Sequence, residues 1–141
     1  MTRFTFSALF IALIAVLGSG SLSAQRITVT LAGNGSSGFN GDGRPGHLTN
    51  VSSPTDVCRD IAGNVYFTEG GGAGRVRMYS AKTGIISTVA GGGTSMAEGI
   101  PATDALLLLS NICIDAAGNL YVVNTPGAIR QIICLQELSI L

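Results

Sequence analysis

Asp60-Ile61-Ala62-Gly63-Asn64-Val65-Tyr66 returns 55 positions later as Asp115-Ala116-Ala117-Gly118-Asn119-Leu120-Tyr121, and this recurrence decides how the chain is read. Upstream, Leu31-Ala32-Gly33-Asn34-Gly35 returns as Val89-Ala90-Gly91-Gly92-Gly93 at an offset of 58. Self-similarity at a nearly fixed period marks a repeat architecture, in which each unit buries its apolar faces against its neighbours. The period is long here, and each unit holds several short β-prone runs.

Working outward from the motif, residues 57–60 and 65–68 flank Ala62-Gly63-Asn64. Gly-Asn between two β-prone runs predicts a hairpin, with positive φ expected at both turn residues. Residues 76–79 read as a third strand, Ala81-Lys82-Thr83-Gly84 as a turn and residues 85–90 as a fourth strand. Residues 69–74 form a Gly-rich loop, and residues 34–53 a longer loop dense in Gly, Ser, Asn and Pro. Ahead of that loop, Ile27-Thr28-Val29-Thr30-Leu31-Ala32 reads as a leading β-branched strand. The leucine cluster after Pro101 allows one helical turn within residues 102–109.

Four strands joined as successive hairpins are the content of one β-propeller blade. Leu120, Tyr121, Val122 and Val123 are apolar on both faces of their strand, as a strand sandwiched between blades requires. The expected fold is therefore all-β: an incomplete propeller whose blades are four antiparallel strands. Its parts are a leading outer strand at 27–32, blade one at about 54–90 and a partial blade two at about 109–132 within residues 25–132, then a divergent tail at 133–141.

The chain carries 8 basic and 8 acidic side chains among 141 residues, so it lacks the basic excess by which nucleic-acid and anionic-membrane binders announce themselves. Arg3, the ten-residue apolar run at 8–17 and the small polar stretch ending in Ala24 predict a signal peptide over residues 1–24, hence a secreted or periplasmic protein with no membrane association after cleavage. The alternative, an uncleaved anchor, needs about 20 apolar residues. Three cysteines are an odd number, and Cys58 and Cys113 stand at one repeat position, 55 apart. Equivalent positions in adjacent units are too far separated for a disulfide, so both are expected as small buried apolar side chains. Cys134 has no repeat counterpart.

Taken together, the pattern resembles the NHL-repeat family of β-propellers in its bacterial exported form. The residues that carry it are Ala32-Gly33-Asn34-Gly35, Gly41-Asp42-Gly43-Arg44-Pro45, Ser53-Pro54, the Asp60 to Tyr66 motif, Arg75-Val76-Arg77 and Thr83 through Gly91. The second copy keeps Pro101-Ala102-Thr103, the Asp115 to Tyr121 motif and Ile129-Arg130. Glu69 and Asn124 stand where that family usually has Asp, and Leu109 replaces a proline expected opposite Pro54. Beyond Ile132 no Thr-Gly turn recurs. The resemblance implies a fragment of about two blades, either part of a longer propeller or one of several chains that associate to complete it.

The resemblance also implies a binding scaffold whose inter-blade loops meet a protein, peptide or glycan, with Asn40, Asp42, Arg44, His47 and Glu69 as candidate contact residues. The alternative is a fragment of a propeller lyase or hydrolase whose active site needs further blades. No catalytic, cofactor or metal residues are assigned. Gly33-Asn34-Gly35-Ser36-Ser37-Gly38 fits GxGxxG, but the following Asn40-Gly41-Asp42-Gly43-Arg44-Pro45 cannot open the helix that a dinucleotide requires. Asn40-Gly41-Asp42-Gly43 holds one carboxylate where Ca²⁺ wants six to eight oxygens, and His47 is the single histidine. Asp60 and Asp115 are expected to cap their turns, Arg77 and Arg130 to bond between strands, and Tyr66 and Tyr121 to pack.

Overall fold

The computed structural model describes residues 26–72 and 74–133. The predicted signal peptide and Cys134 lie outside them. Eight strands form two antiparallel sheets: β1 (Arg44–Pro45), β2 (Pro54–Arg59), β3 (Val65–Glu69), β4 (Arg75–Tyr79) and β5 (Ile85–Gly91) in the order β1-β5-β4-β3-β2, and β6 (Leu109–Ile114), β7 (Leu120–Asn124) and β8 (Ala128–Ile132) in the order β6-β7-β8. Neither sheet closes on itself. The fold is mostly β, as expected, and the hairpins fall where the repeats put them.

Both hairpin turns use one design, and it differs from the expected one. Gly63 and Gly118 take positive φ, of 92° and 87°, while Asn64 and Asn119 do not. The asparagines instead lock the turn through their side chains. Asp60 accepts the Asn64 backbone N–H and the Asn64 amide, each at 2.8 Å, and the Tyr66 hydroxyl at 3.3 Å. Asp115 does the same with Asn119, at 2.8 and 2.9 Å, and with Tyr121 at 3.1 Å. The Asp-x-x-Gly-Asn-x-Tyr spacing is thus a hydrogen-bonding unit, and the recurring tyrosines serve it as well as packing.

Strand pairing sets the two faces of each sheet. In the first sheet Val57, Phe67 and Arg77 share one face through direct pairing, and Tyr66, Met78 and Cys58 share the other, with Thr68 and Val76. In the second sheet Ile112, Val122 and Arg130 lie on one face and Cys113, Tyr121, Val123 and Ile129 on the other. The core joins the Val76 face of the first sheet to the Ile112 face of the second: Val76 and Ala90 pack with Ala105, Leu107, Leu109, Ile112, Leu120 and Val122, all buried. Asp56 ties the innermost strands together, accepting the Ile112 N–H at 2.9 Å and the Asn111 amide at 3.3 Å. The Ile112 and Val57 backbone bonds hold the Asp56 carboxyl below the usual carboxylate range.

The passage between sheets depends on close backbone approach. Gly91 has φ of 76°, and a Cβ there would run into the Gly74 carbonyl. The Gly74 carbonyl accepts the Gly92 N–H at 3.0 Å, and the Gly74 N–H donates to Leu107 at 3.0 Å. After Pro101 a single 3-10 turn spans Ala102–Asp104, the helical turn that the leucine-rich stretch allowed.

Residues 27–32, read as the outer strand of a blade not completed within this chain, are in no strand here: Ile27 and Val29 are 80 % and 66 % exposed, and Gly33 just after them donates its N–H to the Gly46 carbonyl at 3.0 Å. The outer flank of β5 is taken by β1, Arg44 facing Ile86, within the stretch read as a loop. One expectation needs correction. The cysteines, both free thiols, are not equally buried. Cys58 is half-buried, and its thiol pKa is pushed up to about 11 by desolvation and then by Cys113 and Asp56 nearby, whereas Cys113 is exposed. The difference follows from the faces, since the second sheet covers the face of Cys58 and nothing among the described residues covers the face of Cys113 to the same extent.

Candidate interaction surface

The loop at 34–53 is long and rich in glycine, yet it is stitched to itself and to the first sheet. The Asn34 amide donates to the Asn50 side chain at 2.8 Å. Asn40 bridges the two limbs, its amide donating to the Leu48 carbonyl and its oxygen accepting the Asn50 N–H, each at 3.0 Å. Buried Thr49 donates its hydroxyl to the Pro45 carbonyl at 3.1 Å. Such local side-chain to backbone bonds give irregular chain the definition that a ladder gives a strand.

Arg77 fastens this loop to the sheet. Its fully buried guanidinium lies 3.1 Å from the Asp42 carboxylate of the loop and 3.3 Å from Glu69 at the end of β3. It also donates to the Gly41 carbonyl at 3.3 Å. The other Glu69 oxygen accepts the Ser52 N–H at 3.2 Å, so one carboxylate holds both the arginine and the far limb of the loop. Phe39 lies over two arginines, its ring centre 4.2 Å from the Arg75 guanidinium carbon and 4.9 Å from that of Arg77. Thr88 of β5 donates to Asp42 at 3.0 Å.

The five residues singled out from sequence therefore divide. Arg44, which belongs to β1, and His47, in a 3-10 turn at Gly46–Leu48, are exposed, and Arg44 donates to the Asn40 carbonyl at 2.7 Å. The Asp42 side chain is 42 % exposed beside Arg77. Asn40 is half-buried and acts within the loop. Glu69, taken from the sequence as a loop residue, is 2 % exposed and belongs to β3, because pairing with Arg77 holds its carboxylate inside. Phe39 and Leu48, 46 % and 50 % exposed, are the surface residues that sequence reading missed. The signal was present as the only aromatic and the only leucine within 34–53.

The second repeat rebuilds the scheme with different chemistry. Glu98, 56 positions after Asp42, lies 3.2 Å from Arg130, 53 positions after Arg77. Asn124, at the place of Glu69, accepts the Leu108 N–H at 2.6 Å just as Glu69 accepts that of Ser52. Ser95 stands where Phe39 does. Between residues 97–102 and β8 an open cleft of about 320 Å³ remains, lined by Glu98, Ile100, Ala102, Arg130 and Ile132 among others. Among the described residues, no group of three or more His, Cys, Asp or Glu side chains gathers, and no helix is long and apolar enough to cross a membrane. Compared with known proteins, the chain matches no protein-family model and none of the curated proteins.

Proposed function

We propose that this chain is an exported pair of NHL-type propeller repeats that binds a protein, peptide or glycan through its inter-repeat loops. The observation that carries the reading is the surface at 34–53, a loop fixed by Arg77, Glu69 and Asn40 that holds Phe39, Arg44, His47 and Leu48 outward. Exposed aromatic and arginine side chains on a pre-ordered backbone lose little freedom on binding, which is the composition of interface hot spots. Sequence support comes from the Ala-Gly-Asn-Gly, Gly-Asp-Gly-Arg-Pro and Asp-x-x-Gly-Asn-x-Tyr motifs in order. Two antiparallel sheets packed face to face through equivalent strands agree with neighbouring blades.

The test is a screen of the exported protein against peptide and glycan arrays, followed by titration of each hit with Phe39→Ala and Arg44→Ala variants. Loss of affinity of at least tenfold in both variants, measured at a temperature where circular dichroism shows each still folded, is the expected result. Binding indifferent to both substitutions, or hydrolytic or lyase turnover of the hit, would overturn the reading. N-terminal sequencing of the exported product is expected to begin at Gln25.

A further inference from the structure

The second sheet has one edge and one face that the first sheet has covered, and the chain itself contains what covers them. In the first sheet β5 fills the gap between β4 and β1. In the second, β8 has no neighbour on its outer side among the described residues, and the open cleft lies between it and residues 97–102. Ile100-Pro101, at the far wall of that cleft, stands 56 positions after Arg44-Pro45. The cleft is thus the place that a β5 would occupy. The segment Ile27-Thr28-Val29-Thr30-Leu31-Ala32-Gly33 has the sequence of β5, matching Ile85, Thr88, Ala90 and Gly91 at an offset of 58. Residues 27–31 are exposed and lie in no strand, while Ala32 and Gly33 are half-buried and the Gly33 N–H donates to the Gly46 carbonyl at 3.0 Å.

The faces repeat the pattern. Cys58, Tyr66 and Val76 lie against the second sheet, whereas their counterparts Cys113, Tyr121 and Ile129 face outward around an apolar groove. Ile112, Leu120 and Val122 are buried against the first sheet, whereas Val57, the counterpart of Ile112, is 61 % exposed. The open face of the second sheet is therefore the kind of surface that the first sheet buries, and the exposed Val57 end of the first sheet's other face, beside buried Phe67 and Arg77, is the counterpart of the Ile112 surface that the second buries. Surfaces related in this way associate head to tail, each copy adding as the second sheet adds to the first.

We propose that a second copy of this chain docks on the second sheet, its residues 27–33 adding antiparallel to β8 and its first sheet covering the Cys113 and Ile129 face. The β4–β5 pairing transfers to a definite register: Ala128 opposite Gly33, Ile129 opposite Ala32, Arg130 opposite Thr30, Gln131 opposite Val29 and Ile132 opposite Thr28 of the added copy. Thr30 then meets Glu98 beside Arg130, as Thr88 meets Asp42 beside Arg77. Neither segment contains a proline, so every N–H in the ladder can donate. This association is independent of the loop-borne binding proposed above.

Light scattering on the exported protein at tens of micromolar is expected to show complexes of two or more chains. When two differently tagged preparations are mixed under oxidation, one carrying Val29→Cys and the other Gln131→Cys, a disulfide joining the two tags is expected only when both cysteines are present. Val29→Pro and Ile129→Glu are each expected to weaken association at least tenfold without moving the unfolding curve of the monomer, since both side chains are exposed, at 66 % and 77 %. A chain that stays monomeric would overturn the proposal. So would association unaffected by either variant, or a Val29→Cys/Gln131→Cys disulfide that forms only within one chain.

Discussion

At the scale of single residues, the two aspartates that open the hairpin turns do more than their neighbours. Asp60 and Asp115 each accept a backbone N–H, an asparagine amide and a tyrosine hydroxyl. At Asp115 the Asn119 side-chain bond leads in holding the carboxyl below its usual range. At Asp60 partial burial pulls upward, but the bonds from Asn64 and Tyr66 outweigh it and the net shift is again down. A carboxyl depressed in the folded state contributes stability that is complete above its unfolded pKa, about 3.9, and is lost as pH falls through the folded value. Urea midpoints are therefore expected to hold from pH 7 to 5 and to drop below about pH 4, and Asp115→Asn should flatten part of that drop. The Asn64 oxygen also accepts the Ala81 N–H at 3.1 Å, which ties the first turn to the following one. Asn64→Ala is expected to cost about 1–2 kcal/mol, as read from chemical denaturation. An unchanged urea midpoint would show that these bonds contribute nothing.

Among the elements, the junction between the sheets leaves the least room. Gly91 ends β5 at positive φ with the Gly74 carbonyl against it, so Gly91→Ala meets both backbone strain and a clash that only a shift of β4 or β5 relieves. The expected loss is about 2 kcal/mol or more, measured as a shift of the urea midpoint at constant slope. Gly127→Ala is the informative control: its φ of 82° imposes similar strain, but no atom lies within 4 Å of the added carbon. If the two variants lose the same amount, close approach is not what Gly91 serves. The strands themselves were legible because alternation and turn residues are local. Residues 27–32, β-prone by sequence, are in no strand within the chain for the complementary reason. β-propensity describes what fits a pleated surface, and a strand exists only where another strand supplies the ladder.

For the molecule as a whole, the Arg77 cluster couples the long loop to the sheet. Removing the Glu69 carboxylate leaves a fully buried guanidinium with one partly exposed carboxylate, Asp42, and the Gly41 carbonyl, and frees the Ser52 N–H. Glu69→Ala is expected to destabilise by about 3 kcal/mol and to make residues 34–53 the first site of limited proteolysis. Unchanged cleavage within that loop would show that it is held by its internal asparagine bonds alone. The sequence by itself determined the repeat, the order of β2 to β5 with bounds within a few residues, and the places of the two Gly-Asn turns, because strand alternation, glycine conformation and Asp–Asn spacing act over a few residues. Tertiary structure alone decided that Glu69 is inside, that Phe39 covers two arginines, that Cys113 is exposed where Cys58 is half-buried, and that residues 27–32 go unpaired. Identical motifs acquire different surroundings according to which neighbour covers them. That covering depends on which sheet faces which, and no local spacing encodes it.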